Sequence, residues 1–326
     1  MQIRVVRRVF LALCVLLWLP CALYAGTLAV KTGTYTGDGA DNRTIAGVGF
    51  TPKVIFIMGD TGNASPVVRI NTMAGDESVE IDAAGGGGVN IIQSIDSDGF
   101  TIGTASSVNE NTVRYDWVAL AGTALVTVSW SGDGVDTRDI TTTGVNPTFV
   151  FIAPASGQNQ PPTWRGASPA GDAAFHGNTA QAANLIQTLG TAKFTIGNDA
   201  SVNNATGTPT YHAFAVEGGA AAYTTGTYAG NSTDNRNITT TGMNPILVFV
   251  KIDFAVNGTF RTDGMGGDKS KNFTTLAYAA DEIQSLGTTQ FQVGTASTVN
   301  LSGFNYYWWA FANEPTTARK RLWISE

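Results

Sequence analysis

The chain has 326 residues, of which 43% are hydrophobic and 13% are charged, and its formal net charge at pH 7 is −6. Such a length exceeds what one hydrophobic core usually serves, and the acidic balance argues against nucleic acid or an anionic membrane as a partner. With so few charges, Thr, Asn, Ser and Gly must cover the surface, as is typical of β-rich extracellular proteins.

The N-terminal segment has the order of an export signal. Three arginines within residues 4–8 precede an apolar run from Phe10 to Leu19, and Leu23-Tyr24-Ala25 offers a small-residue cleavage site. We predict a signal peptide over residues 1–25 and a mature chain that is secreted, held at the cell surface or kept in the periplasm. The alternative is a membrane span, for which the run is short and is interrupted at Pro20.

Three copies of one unit follow this segment. The turn pattern of residues 37–45 returns at residues 132–140 and 230–238, and each copy is about one hundred residues long. That period is far above the 20 to 50 residues of solenoid repeats, so each copy can form a small domain with its own core. We predict three β-sandwich repeats, called repeats 1, 2 and 3, and a docking C-terminal tail, with the bounds 26–121, 122–219, 220–314 and 315–326.

Each repeat contains one strand that is apolar at almost every position. The runs 53–58, 148–152 and 246–250 each follow a proline and are too continuously apolar to have a solvated face, so we expect them to be central strands. Sustained helical periodicity is missing from the mature sequence, and about seven short strands per repeat indicate antiparallel pairing. The predicted fold class is all-β, with three tandem, jelly-roll-like antiparallel β-sandwich domains in a compact or gently curved row.

The last strand of each repeat alternates, and this suggests a ligand surface in repeat 3. Tyr306 and Trp308 repeat Tyr115 and Trp117 of the first copy and are expected in the core, which leaves Tyr307 and Trp309 facing outward. Sugar rings stack on exposed aromatic side chains. The predicted ligand-binding residues are therefore Trp164, Arg165, Tyr307 and Trp309.

Recurring Arg and Asp residues have a structural interpretation. An Asp-x-Arg turn and an Arg with an Asp seven residues later occur in every copy, and we expect them to fix loops through ion pairs or hydrogen bonds. The residues concerned are Asp41, Arg43, Arg69, Asp76, Asp136, Arg138, Arg165, Asp172, Asp234, Arg236, Arg261 and Asp268.

Few residues are suited to catalysis or metal binding. Both cysteines lie in the predicted signal, and the two histidines, His176 and His212, occur in repeat 2 alone, so we predict no enzyme, no cofactor and no metal. Paired carboxylates for glycoside cleavage remain an alternative, because the distance that matters is spatial. Asp96 and Asp98 before Gly99 could form a calcium loop, but an Asp-rich hairpin turn is the preferred interpretation.

The first copy resembles a domain of phage tail and virion-associated proteins and of bacterial secreted proteins. The matching segments are Gly37 to Arg43, Gly49-Phe50-Thr51-Pro52, Asp96 to Gly103, Ser107 to Asn109 and Tyr115 to Ala119. Repeat 2 departs from the pattern, with Ala213 in place of the tryptophan and Val145-Asn146-Pro147 in place of Gly-Phe-x-Pro. A weaker likeness to H-type lectin domains lies in the strand that follows the proline and in the closing strand with its aromatic residues and alanine. Both likenesses imply a β-sandwich with an attachment or structural role and without catalytic residues.

These observations favour a secreted, non-enzymatic structural or adhesive protein that assembles with itself or belongs to a phage-tail-like structure. A carbohydrate-binding, lectin-like protein is the first alternative and a glycoside-active enzyme the second. The expected partners are further copies of the chain, a glycan or another cell-surface ligand, with no nucleic acid and no membrane insertion after signal removal.

Overall fold

The computed structural model describes residues 26–82, 86–177, 179–207, 209–218 and 222–313, so the expected signal peptide and C-terminal tail lie outside it. The described chain is almost entirely β, with two four-residue helices, α1 (Ser106–Asn109) and α2 (Ala200–Asn203). All strand pairs are antiparallel and are arranged in stacked sheets, which confirms the predicted all-β sandwich fold. No helix in this part of the chain is long and apolar enough to cross a membrane.

Repeat 1 is a sandwich of a large and a small sheet. The large sheet has the order β1-β9-β3-β4-β5-β6 and the small sheet the order β2-β8-β7. The strands are β1 (Leu28–Thr36), β2 (Arg43–Ala46), β3 (Val54–Gly59), β4 (Val67–Ile70), β5 (Ser78–Glu80), β6 (Gly87–Gly88), β7 (Ile92–Asp96), β8 (Gly99–Ile102) and β9 (Arg114–Gly122).

Repeats 2 and 3 have the same plan with five-stranded large sheets. In repeat 2 the strands are β10 (Leu125–Ser131), β11 (Arg138–Thr141), β12 (Phe149–Pro154), β13 (Thr163–Gly166), β14 (Phe175–His176), β15 (Ile186–Gly190), β16 (Lys193–Ile196) and β17 (Thr210–Val216). In repeat 3 they are β18 (Tyr223–Ala229), β19 (Arg236–Thr239), β20 (Leu247–Ile252), β21 (Thr259–Thr262), β22 (Lys271–Asn272), β23 (Ile283–Gly287), β24 (Gln290–Val293) and β25 (Asn305–Phe311). The large sheets are β10-β17-β12-β13-β14 and β18-β25-β20-β21-β22, and the small sheets are β11-β16-β15 and β19-β24-β23.

The continuously apolar strands are central and buried on both faces, as the sequence predicts. In β3 every residue is buried. Ile55 and Ile57 point into the core between the two sheets of repeat 1, whereas Val54, Phe56 and Met58 point the other way, into a second core. The strands β12 and β20 divide their side chains in the same manner.

That second core is shared by all three repeats. Phe56 of repeat 1 lies with its ring centroid 5.7 Å from that of Phe151 in repeat 2 and 6.0 Å from that of Phe249 in repeat 3. Each large sheet therefore has its own small sheet on one side and the two other repeats on the opposite side. The expected compact or gently curved row is therefore replaced by a closed arrangement, because the inner faces are apolar and cover one another, while each repeat also keeps its own core between its two sheets.

The repeats also meet at three joints, which close them into a ring. At the joint between repeats 1 and 2, Thr72 Oγ1 lies 2.9 Å from His212 Nδ1. Between repeats 2 and 3, the ring of Phe175 lies 5.2 Å from that of Tyr307. Between repeats 3 and 1, Lys269 Nζ donates to Asp60 Oδ2 over 2.9 Å. Each of the three repeats thus contacts both of the others.

The tryptophan missing from repeat 2 has a steric explanation. In repeat 1, Trp117 lies against Gly33 on the paired strand, and a Cβ added to that glycine would lie 2.3 Å from the indole. In repeat 3 a Cβ added to Gly226 would lie 2.6 Å from the indole of Trp308, which is similarly close. Repeat 2 has Val128 on β10 opposite Ala213 on β17, so the larger side chain is on the first strand of the pair, whereas in repeats 1 and 3 it is on the last strand.

Candidate functional site

The Asp-x-Arg turn is held by hydrogen bonds that recur in every repeat. Arg43 Nη1 donates to the carbonyl of Thr36 over 2.7 Å and to Asn109 Oδ1 over 3.3 Å. Its Nε forms an ion pair with Asp38 at 3.4 Å, not with the expected Asp41. Because Asp38 is half-exposed, this pair adds little stability and the carbonyl and amide contacts define the turn. Arg138 and Arg236 make the same contacts with Ser131 and Asn203 and with Ala229 and Asn300.

Asp41 instead receives a hydrogen bond from a glutamine. The register of β7 shifts between Ile92 and Ser94, so Gln93 lies in a bulge, and a bulge redirects the side chain of its extra residue. Gln93 Nε2 donates to Asp41 Oδ1 over 2.8 Å. The pairs Gln187 with Asp136 and Gln284 with Asp234 repeat this bulge and this distance.

A buried arginine lies beside each of these glutamines. Arg165 is 7% exposed, and its terminal nitrogens donate to the carbonyls of Ala173, Ile186, Pro169 and Gly171 over 2.7, 3.0, 3.4 and 2.5 Å. Burial lowers the pKa of the guanidinium, and the negative charge of a nearby carboxylate partly offsets this. Arg69 and Arg261 likewise donate to four carbonyls each.

The aspartate seven residues after each of these arginines does not pair with it directly. Asp76 accepts the backbone N–H of Asn90 over 2.8 Å, and Asp172 accepts that of Asn184 over 3.4 Å. Asp268 does the same for the N–H of Asp281. Of the two expected arrangements, ion pair or hydrogen bond, the arginine and the aspartate thus make separate hydrogen bonds with the backbone, and both hold the loop before the bulged strand.

The arginine and the glutamine together border an open cleft. In repeat 2 the cleft has a volume of about 780 Å³, and in repeat 1 the equivalent cleft has about 310 Å³. Both are lined at matching positions, which are Pro52, Arg69, Gly75, Gln93, Ser94 and Ile95 in repeat 1 and Pro147, Arg165, Gly171, Gln187, Thr188 and Leu189 in repeat 2. We call the buried arginine, the bulged glutamine and the Asp-x-Arg turn of one repeat its framework. Because the cleft recurs at equivalent residues of two repeats, this framework and not one loop creates it.

Two polar atoms of this framework have no hydrogen-bond partner. One is the Nε of the buried arginine, and the other is the Oε1 of the bulged glutamine. Both atoms are buried in every repeat, in Arg69, Arg165 and Arg261 and in Gln93, Gln187 and Gln284. An unmet donor and an unmet acceptor on equivalent residues of three repeats mark this part of the fold as the strongest candidate for a binding site.

The predicted aromatic ligand surface is not exposed. Trp309 is fully buried and Trp164 is 3% exposed, and both belong to the shared core. The expectation that Trp309 faces outward is wrong, because the face opposite the sandwich core meets the other repeats and not solvent. Tyr307 is half-buried and packs against the same core. Arg165 alone of the four predicted residues borders the cleft.

The two histidines lie apart from both clefts. His212 Nε2 is 3.6 Å from Glu77 Oε2 and its Nδ1 is near Thr72, but burial lowers the pKa of His212, so the ring is neutral at neutral pH. Burial also lowers the pKa of His176. Neither side chain lines the cleft of repeat 1 or of repeat 2.

The Asp-rich segment that joins β7 to β8 is a hairpin turn whose carboxylates bind their own chain. Asp96 accepts the hydroxyls of Ser94 and Thr101 over 2.8 and 2.9 Å. Asp98 accepts the backbone N–H groups of Gly47 and Gly49. These contacts favour the hairpin over the calcium loop. In the part of the chain that the structure describes, no three His, Cys, Asp or Glu side chains are grouped as for a metal ion.

Comparison with known proteins adds no assignment. No protein-family model matches the chain, and no curated protein or solved structure matches it either.

Proposed function

We propose that the mature chain is a non-enzymatic adhesive or structural protein that works outside the cell. The observation that carries this proposal is the closure of three similar sandwiches around one core. Each small sheet lies on the outside of this ring, with its large sheet between it and the shared core. One chain therefore presents three similar surfaces at fixed relative positions, and contacts that are weak individually add when a target offers several matching groups.

The outer surfaces support contact with polar targets. In repeat 2, Thr188 Oγ1 donates to Thr195 Oγ1 over 2.9 Å, and Thr195 Oγ1 donates to Asp139 Oδ1 over 2.8 Å. Lys193 Nζ lies 2.6 Å from Asp139 Oδ2. These side chains already have ordered partners, so little conformational entropy is lost when such a surface meets a flat polar target.

The proposal is tested with the mature chain coupled to beads. Beads are applied to surfaces coated with bacterial or plant polysaccharides and to intact bacterial cells, and retention and soluble reducing ends are measured in the same wells. We expect retention above that of albumin-coated beads, with no release of reducing ends. Release that depends on the chain would identify a glycoside-active enzyme, and a lack of retention on every surface would contradict adhesion.

Carbohydrate binding is the second candidate, and the cleft of repeat 2 favours it. Its volume of about 780 Å³ lies within the range of small-molecule sites, and apolar and polar groups both line it. This candidate differs from adhesion by the outer sheets because it requires one defined pocket.

A further inference from the structure

We infer that the cleft of repeat 2 binds a neutral, hydroxyl-rich ligand, such as one or two sugar residues or another polyol. The inference rests on the carbohydrate-binding form of the proposed function and adds to it the site and the chemical class of the ligand. It is carried by Arg165 and Gln187, which border the cleft, are each 7% exposed and each keep one polar atom without a partner.

The chemistry of the two unmet atoms selects a hydroxyl group. Arg165 Nε–H can only donate and Gln187 Oε1 can only accept, whereas a hydroxyl accepts and donates at once. Both atoms lie below the cleft surface. A ligand hydroxyl therefore reaches these two atoms when the Gln187 side chain shifts. Such a shift changes the hydrogen bond that Gln187 Nε2 donates to Asp136, so the Gln187 amide signal can be used to detect it.

The same geometry disfavours anionic ligands. A carboxylate or phosphate is usually bound by the paired terminal nitrogens of an arginine, but in Arg165 these nitrogens already donate to four backbone carbonyls. In addition, Asp172 lines the cleft and would repel a second negative charge. The ligand is therefore neutral.

Apolar groups and space explain why repeat 2 is the site. Pro147, Ala167 and Leu189 line its cleft and can cover the C–H groups of a polyol. Repeat 1 has Asn71 at the cleft position of Ala167, and its cleft is less than half as large. The wider cleft of repeat 2, with Ala167 in place of the polar Asn71, therefore offers more space and more apolar contact to a ring than that of repeat 1.

Two variants separate this site from the rest of the molecule. Ala167 is exposed, so Ala167→Trp fills the cleft of repeat 2 without touching a core. The matched control is Asn71→Trp, which fills the equivalent cleft of repeat 1 and is also at an exposed position. Both variants should keep the circular dichroism spectrum and melting temperature of the parent chain.

Binding is measured by saturation-transfer NMR and calorimetry with neutral mono- and disaccharides at millimolar concentration. We expect one site per chain, a shift of the Gln187 side-chain amide signal, and affinity reduced about tenfold or more by Ala167→Trp but unchanged by Asn71→Trp. Glucuronate, sugar phosphates and permethylated sugars should not bind.

Three results would overturn the inference: equal binding by Ala167→Trp, preference for the anionic sugars, or no signal from any neutral sugar. The bead assay distinguishes these results from failure of the proposed function. Beads that carry Ala167→Trp and still adhere would leave adhesion intact and remove only the cleft from it.

Discussion

Single residues at the joints show how the repeats differ inside a common plan. Lys251 is fully buried between repeats 2 and 3, where its Nζ donates to the carbonyls of Ile252 and Phe254 and lies 5.7 Å from the ring centroid of Phe175. Lys271 is fully buried between repeats 3 and 1. Each lysine stands where the other repeats have uncharged residues, so neither could be recognised from the repeat pattern.

Burial of Lys251 makes the stability of the three-repeat assembly depend on pH. Burial lowers the pKa of the Lys251 ammonium group from 10.5 to about 7. Between pH 7 and 10.5, Lys251 therefore keeps its proton in the unfolded chain but loses it in the folded chain. The free energy of unfolding should therefore rise with pH across this window. We expect Lys251→Met to stabilise the protein by about 1–4 kcal/mol at pH 7 and to flatten this rise.

The measurement is chemical unfolding at several pH values, with the exposed Lys31→Met as the control variant. Lys31→Met should keep the parent slope. A loss of stability in Lys251→Met at pH 7 would show instead that the two carbonyl contacts of Nζ outweigh the cost of the buried charge.

At the scale of elements, the strand pattern was predictable and the partner of each face was not. Period-two alternation correctly places Tyr306 and Trp308 in the sandwich core, and the apolar run 246–250, which forms most of β20, correctly indicates burial on both faces. The same alternation places Trp309 on the opposite face, where sequence alone suggested solvent. A pattern reports which side chains are buried but does not name the element that covers them.

The framework around the cleft was visible in part. The Asp-x-Arg turn, the later arginine and an Ile-Gln pair followed by Ser or Thr recur in all copies of the sequence, and the structure brings them together. The bulge at Gln93, Gln187 and Gln284 was not foreseen, because an extra residue in one strand leaves no compositional trace. The pairing of Arg43 with Asp38 was missed because Asp41 is only two residues from Arg43 whereas Asp38 is five away, so nearness in sequence favoured the wrong aspartate.

The paired strands β10 and β17 have Val128 opposite Ala213 where the other repeats have Gly opposite Trp, and this difference can be tested by mutation. Ala213→Trp alone should place an indole against Val128 and destabilise the chain by about 1–3 kcal/mol, as overpacking usually does. Adding Val128→Gly recreates the arrangement of repeats 1 and 3 and should restore most of that loss. Thermal unfolding of both single variants and the double variant gives the coupling energy, and additive effects would contradict the steric explanation.

At the scale of the whole molecule, the sequence indicated three copies of one unit but not their closure. A unit of about one hundred residues is long enough to have its own core, and each repeat does contain one between its sheets. Closure depends on the shared core, to which the three copies contribute side chains that are far apart in sequence. Because five strands have the same order in every large sheet, with β6 as an addition in repeat 1, the three inner faces can meet in a similar way in one ring.

The last prediction follows from this shared core. Independent folding of residues 122–219 is what the sequence suggests, but in isolation this repeat would expose Phe149, Phe151, Trp164 and Phe214, all of which are buried in the full chain. We expect the isolated repeat to form β-structure and to associate through this apolar face, with a trimer as the closed product. Light scattering across a hundredfold concentration range, together with binding of a hydrophobic dye, gives the answer. The substitution Phe151→Asp should reduce association while leaving the sandwich core of repeat 2, which lies on the other side of the sheet, unchanged. A wild-type repeat that stays monomeric and binds no dye would show that the shared core is dispensable for repeat 2.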